Sequence, residues 1–204
     1  MFYFTKTPGI LKSLYKSCIW NFSPVVPAVY LTFDDGPHPK ATPFVLEQLK
    51  KYGAKATFFC IGKNVVEQPE IYQQILLDGH SVGNHTHNHL NGWKTATDKY
   101  VANIKEAAQY IRSNLFRPPY GRISPFQIKE LKKDYRIIMW DVLSGDFDTE
   151  ITGETCLQNV VFKLQPGSIV VFHDSEKAWD RMSYALPRIL EHCKRQGWEV
   201  KAIV

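Results

Sequence analysis

The chain has 204 residues, enough for one domain with a sizeable core. Apolar residues make up 44% and charged residues 22%, which excludes a disordered chain. The net charge of +5 is spread over scattered basic residues with no nucleic-acid motif, so nucleic acid is not expected as a partner.

Residues 1–27 mix short apolar stretches with lysines. These stretches are too short for a signal-peptide core, and no later run approaches a membrane span. The expectation is a leading segment, 1–27, that packs on a catalytic domain of residues 28–204, with weak contact to a membrane surface as the alternative. Cys18, Cys60, Cys156 and Cys193 have neither metal-ligand nor redox-motif spacing, and no disulfide framework is expected. A cytoplasmic or membrane-associated location follows, with the cell envelope as the alternative.

Residues 28–33 read as a strand. Thr42 then reads as an N-cap with Pro43 at the first helical position, and that helix should close near Gly53. "KATFFCIG" is apolar throughout, as a buried parallel strand would be. A helix through residues 71–77 and a short strand in "HSVGNH" follow. Residues 98–114 carry Tyr100, Val101, Ile104, Ala108 and Ile111 at helical spacing. Beyond them come a strand end in "LFRPPYG", a capping box at Ser124 and Gln127, and a strand in "YRIIMWDV". Helices over 154–164 and 184–196 flank a strand in "GSIVVFHD", and "WEVKAIV" closes the chain as a strand. About seven strands, each with a crossover, imply an α/β fold with a parallel sheet. A closed or nearly closed barrel is preferred to an open doubly wound sheet.

Chemistry-bearing residues cluster where strands finish, which is where α/β barrels build sites. "YLTFDDGP" ends a strand on Asp34 and Asp35. Adjacent carboxylates raise one another's pKa unless a cation compensates, so either both are solvated or something positive sits between them. "NHTHNH" at 84–89 supplies His85, His87 and His89. His85 and His89 share a face on a helical turn, whereas all three share one on a strand. Two histidines with a carboxylate are a common catalytic metal set.

Taken together and in order, "TFDDGP", "HTHNH", "RPPYG" and "IVVFHD" resemble the polysaccharide deacetylase family of metal-dependent carbohydrate esterases, over roughly residues 29–204. The resemblance implies a distorted, incomplete (β/α) barrel. It implies Asp35, His85 and His89 as metal ligands, the metal being Zn2+ in most members, with Co2+, Mn2+ or Ni2+ also possible. It implies Asp34 as general base, Arg117 holding Asp34, the Tyr120 N–H in an oxyanion hole, and His173 as general acid. The apolar residues before His173, Val171 and Phe172, would shape the acetyl-methyl pocket, and Pro119 and Tyr120 would also bind substrate. The family keeps its histidine protonated with an aspartate that tryptophan usually follows. The matching stretch is "WDVLSGDFD", where Asp146 precedes Phe147, and Leu143 stands where many members carry another acid. Asp141 and Asp148 therefore remain rivals to Asp146.

Four residues carry readings of their own. His87 is expected to be exposed or to stand behind the ligands. His80 is expected to be structural. Trp93 is either a sugar-stacking platform or a loop anchor, and Asp174 is a loop cap. The implied activity is hydrolysis of N-acetyl groups from an N-acetylhexosamine glycan, chitooligosaccharide-like or peptidoglycan-like. An O-acetyl esterase and a non-catalytic metal- or glycan-binding domain are the alternatives.

Overall fold

The computed structural model describes residues 3–204, so the first two residues of the leading segment lie outside the described residues. Its elements alternate: α1 (Gly9–Leu14), β1 (Ala28–Asp34), α2 (Ala41–Lys51), β2 (Thr57–Cys60), α3 (Gly62–Glu67), α4 (Pro69–Leu77), β3 (Ser81–Asn84), α5 (Thr97–Ala107), β4 (Leu115–Phe116), α6 (Pro125–Leu131), β5 (Arg136–Ile137), β6 (Val142–Leu143), α7 (Gly153–Val161), β7 (Ile169–His173), α8 (Trp179–Arg195) and β8 (Glu199–Val200). The strands lie in the order β5-β4-β3-β2-β1-β7-β6, all parallel, and β8 pairs with the start of β1.

Strand alternation divides the core in two. Leu31 and Phe33 of β1, Phe58 of β2, and Val170 and Phe172 of β7 face the helices α2, α7 and α8. Phe59, Leu115, Ile138 and Ile169 fill the concave side. Because both faces are covered, the central strands are apolar nearly throughout, as expected of a buried parallel sheet.

The edges β5 and β6 do not pair with each other. The leading segment spans them instead: Ile19 bridges Ile138 in parallel, Lys6 bridges Val142 antiparallel, and Asn21 bridges Ser168 antiparallel. Lys6 and Lys12 both reach the carboxylate of Asp141, at 2.5 and 2.7 Å, and the Ser168 hydroxyl donates to it at 2.8 Å. Among the described residues, no helix is long and apolar enough to cross a membrane. All four cysteines are free and buried.

Three local expectations are corrected. Lys40, not Thr42, stands at the α2 N-cap. The Thr42 hydroxyl is drawn inward, accepting the His38 N–H and donating to buried Asp174. The strand expected in "YRIIMWDV" breaks into β5 and β6, because Arg117 takes the Ile138 and Met139 carbonyls and Thr7 takes that of Trp140. Those acceptors are then lost to a ladder. The helix expected over 98–114 ends at Ala107 and continues as turns. The Ser124–Gln127 capping box forms as expected.

Burial alone would raise the Asp141 pKa, but Lys12, Lys6 and Ser168 outweigh it and hold the carboxyl below its usual range. A carboxyl depressed in the folded state stabilises above its unfolded pKa of about 3.9 and loses that contribution as pH falls through the folded value. Asp141→Asn should therefore cost about 1–2 kcal/mol at pH 7, a low figure because both lysines are partly open to solvent. In urea unfolding the gap from wild type should narrow as the pH is lowered below about 4.

Candidate active site

Every chemistry-bearing side chain sits at or just beyond the carboxyl end of a strand. Asp34 ends β1, His85 follows β3, Arg117 follows β4, Asp146 follows β6 and His173 ends β7. The β1–β7 register places Asp34 directly beside His173.

Arg117 is fully buried. One of its amino groups donates to Asp34 Oδ1 at 2.7 Å and to Thr32 Oγ1 at 2.6 Å. Its other donors go to the carbonyls of Ile138 and Met139, and its guanidinium stacks 4.1 Å over the Phe59 ring. The Asp34 carboxylate is thus buried against a guanidinium whose nitrogens all have acceptors, the arrangement a buried ion pair needs. The same residue's main-chain carbonyl accepts a hydrogen bond from His85 Nδ1 at 2.7 Å. That bond fixes the tautomer and leaves the His85 Nε2 lone pair bare. Burial pushes the His85 pKa down to about 4, so the ring is neutral, as a metal ligand must be.

Asp35 has φ of 81°, which turns its side chain away from Asp34. Its Oδ1 lies 3.2 Å from His89 Nε2 and 3.7 Å from His85 Nε2. One ligand atom from each of the three residues lies within 4.8 Å of the others. Asp35 Oδ1 is buried and, among the described residues, takes no hydrogen bond. An orphaned anionic oxygen facing two imidazole nitrogens is costly to bury without a cation, so the donor set fits a divalent metal. Burial raises the Asp35 pKa, but the His89 contact and the charge of His173 hold it below the usual carboxylate range.

The backbone is strained to make this set. Asp35, Thr86, His89 and Tyr120 are the non-glycine residues with positive φ among those described. Asn64 donates to the Asp35 carbonyl, Asn84 accepts the Thr86 N–H, and Asn103 accepts the N–H groups of His87 and Asn88. Asn103 occupies the buried stripe of α5, where an amide among apolar residues was an available signal that the sequence reading did not use.

His173 Nδ1 lies 2.7 Å from Asp146 Oδ1, and the His173 N–H donates to Asp146 Oδ2 at 2.7 Å. Burial lowers the His173 pKa, but the charge and hydrogen bond of Asp146, followed by the charges of Asp35 and Asp34, push it up to about 10. Asp141 is committed to the leading segment, and Asp148 caps the Glu150 N–H. Asp146 is thus the carboxylate that meets His173. Arg181, which the sequence reading passed over, donates to the Asp146 carbonyl at 2.8 Å from the buried face of α8.

The remaining residues are less uniform. His87 faces Glu106 at 3.4 Å rather than the Asp35 set, so the expectation that it is exposed or stands behind the ligands is corrected. His80 is buried and accepts the Ala56 N–H. Asp174 accepts the Gly36 N–H and the Thr42 hydroxyl, and burial pushes its pKa to about 8. A Cβ on Gly36 would come 2.0 Å from Asp174 Oδ2, so only glycine permits this approach. Tyr120 is exposed, with its hydroxyl 3.1 Å from His89 Nδ1, and the Pro119 beside it is buried. Phe172 is packed in the core against Phe33 and does not face the site, because alternation along β7 puts Val171 on the His173 side. Trp93 is both anchored and exposed: its indole N–H donates to the Ile123 carbonyl and Arg122 stacks 4.0 Å over its ring.

The profile of the family described as polysaccharide deacetylase matches residues 23–135, more than half of the chain. The chain belongs to the polysaccharide deacetylase family. A peptidoglycan-N-acetylglucosamine deacetylase of Bacillus cereus is 36% identical over 177 residues, covering 83% of each chain. A chitooligosaccharide deacetylase of Azorhizobium caulinodans is 36% identical over 155 residues, 72% of this chain and 73% of its own. The crystal structure of the Bc1960 peptidoglycan N-acetylglucosamine deacetylase in complex with 4-naphthalen-1-yl-N-oxidanyl-benzamide has a TM-score of 0.88 at 30% identity, covering 96% of this chain and 94% of that one. The incomplete parallel barrel of this deacetylase is therefore the family fold, and the family is metal-dependent.

His85→Ala and Asp35→Asn should each lose bound metal in elemental analysis of the purified protein, whereas His87→Ala should retain it. Loss in the His87 variant alone would misplace the ligand set.

Proposed function

We propose that this deacetylase hydrolyses the N-acetyl group of an N-acetylhexosamine glycan, using Asp34 as base, His173 as acid and a zinc ion held by Asp35, His85 and His89. The observation that carries the reading is the pairing of Asp34 with His173 across β1 and β7, beside a metal-fitting set. The relatives named for peptidoglycan and chitooligosaccharide deacetylation support the substrate class.

A divalent cation held by Asp35, His85 and His89 would supply Lewis acidity and would lower the pKa of water toward about 7. Arg117 occupies Asp34 Oδ1, and the second oxygen takes the proton of the attacking water. The Tyr120 N–H donates to the oxyanion that forms as water adds to the acyl carbon. One such donor contributes about 3 kcal/mol. Pro118 and Pro119 carbonyls accept from Gly121 and Arg122, and neither bond uses the Tyr120 N–H. As the C–N bond breaks, the departing amine is strongly basic and takes a proton from His173. Asp146 holds Nδ1, so the proton passes from Nε2. Acetate and a free amine result. Val171 and Pro119 shape the methyl pocket, and Trp93 offers a face for a neighbouring sugar ring.

Acetate release from N-acetylglucosamine oligomers, set against acetylated xylan, tests the reading, and activity on the xylan alone would favour the O-acetyl esterase. Asp34→Asn and His173→Ala should each lower kcat by about 10²–10⁴-fold with metal content unchanged. Wild-type turnover in either variant would reject the assigned roles.

A further inference from the structure

The leading segment reaches the loop that carries Asp146. Residues 5–7 run antiparallel beside β6: the Leu143 N–H donates to the Thr5 carbonyl at 3.0 Å and the Thr7 N–H to the Asp141 carbonyl at 2.9 Å. This run carries Tyr3 past the end of β6. Its ring lies 5.1 Å from that of Phe147, and Phe147 meets the His173 imidazole edge-on at 5.4 Å and 78°. Gly145, with φ of 78°, makes the fit possible, since a Cβ there would come 2.8 Å from the Tyr3 hydroxyl. Burial and the neighbouring charge of Asp148 push the Tyr3 phenol pKa to about 12, so the hydroxyl stays protonated at neutral pH. One ring of the leading segment thus touches residues on both sides of Asp146.

We propose that Tyr3 is a positioning residue for the acid: through Phe147 it holds residues 144–148 so that both oxygens of Asp146 stay on His173. This rests on the reading of His173 as proton donor. A small displacement of a catalytic group is expensive, about 10²-fold in rate for 1 Å. The loop is also held by Arg181 on the Asp146 carbonyl and Asn159 on the Ser144 carbonyl, and the Tyr3–Phe147 ring contact adds to these two bonds.

The test is a double-mutant cycle in the full chain, with rates expressed per bound metal. Tyr3→Ala should lower kcat about tenfold with KM unchanged, and Tyr3→Phe, which keeps the ring, should restore most of it. Phe147→Ala should behave like Tyr3→Ala, and the double variant should lose no more than the larger single loss. An unchanged kcat in Tyr3→Ala, additive losses, or no rescue by phenylalanine would overturn the proposal. An NMR measurement decides it independently of turnover: the downfield His173 Nδ1–H resonance should persist in wild type and Tyr3→Phe and shift or broaden in Tyr3→Ala. An identical resonance in all three would also overturn it. Absence of acetate release by wild type would instead defeat the functional reading while leaving the NMR result to judge the positioning.

Discussion

The buried pair of Arg117 and Asp34 is the interaction on which the rest of the site depends. Removing both charges from water is costly, and the cost is offset only because each guanidinium nitrogen has a named acceptor and the plane rests on Phe59. The arrangement also breaks the sheet. By taking the Ile138 and Met139 carbonyls, Arg117 interrupts the strand that would otherwise run from β5 into β6, and the leading segment fills the resulting gap. Its main-chain carbonyl sets the His85 tautomer. A single residue after β4 therefore orients a group on each side of the proposed chemistry.

The second constraint is backbone strain. Four non-glycine residues with positive φ among those described, at about 1–3 kcal/mol each, are gathered at one end of the sheet. Such strain persists only where surrounding bonds over-determine the chain. Here side-chain amides of Asn64, Asn84 and Asn103 hold the turns, and Asp174 clamps the Gly36 N–H. The turn at Asp35 answers the puzzle of adjacent carboxylates: Asp34 goes to Arg117, and Asp35 is turned toward His85 and His89.

Much of this was legible in the sequence because it depends on local order. Continuous apolar runs announced β1, β2 and β7, Ser124 with Gln127 announced α6, and the strand-end motifs named the polar groups that converge. What stayed hidden depends on contacts between distant segments. The break in "YRIIMWDV" is caused by a side chain about twenty residues earlier in the chain, which no periodicity can report. Asp146, Asp141 and Asp148 lie within eight residues and look alike in sequence. The fold separates them by giving Asp141 to Lys6 and Lys12 and Asp146 to His173. Phe172 is next to His173 in sequence but faces the helix-side core, because neighbours on a strand point to opposite faces.

The central claim is a division of labour between neighbouring carboxylates, one binding the cation and one kept from it by a buried guanidinium. Anomalous diffraction from zinc-soaked crystals reads it directly. The account predicts a zinc peak about 2.0–2.2 Å from Asp35, His85 and His89, with Asp34 still bonded to Arg117. Zinc bound by Asp34 with the Arg117 bond broken, or zinc bound elsewhere, would contradict it.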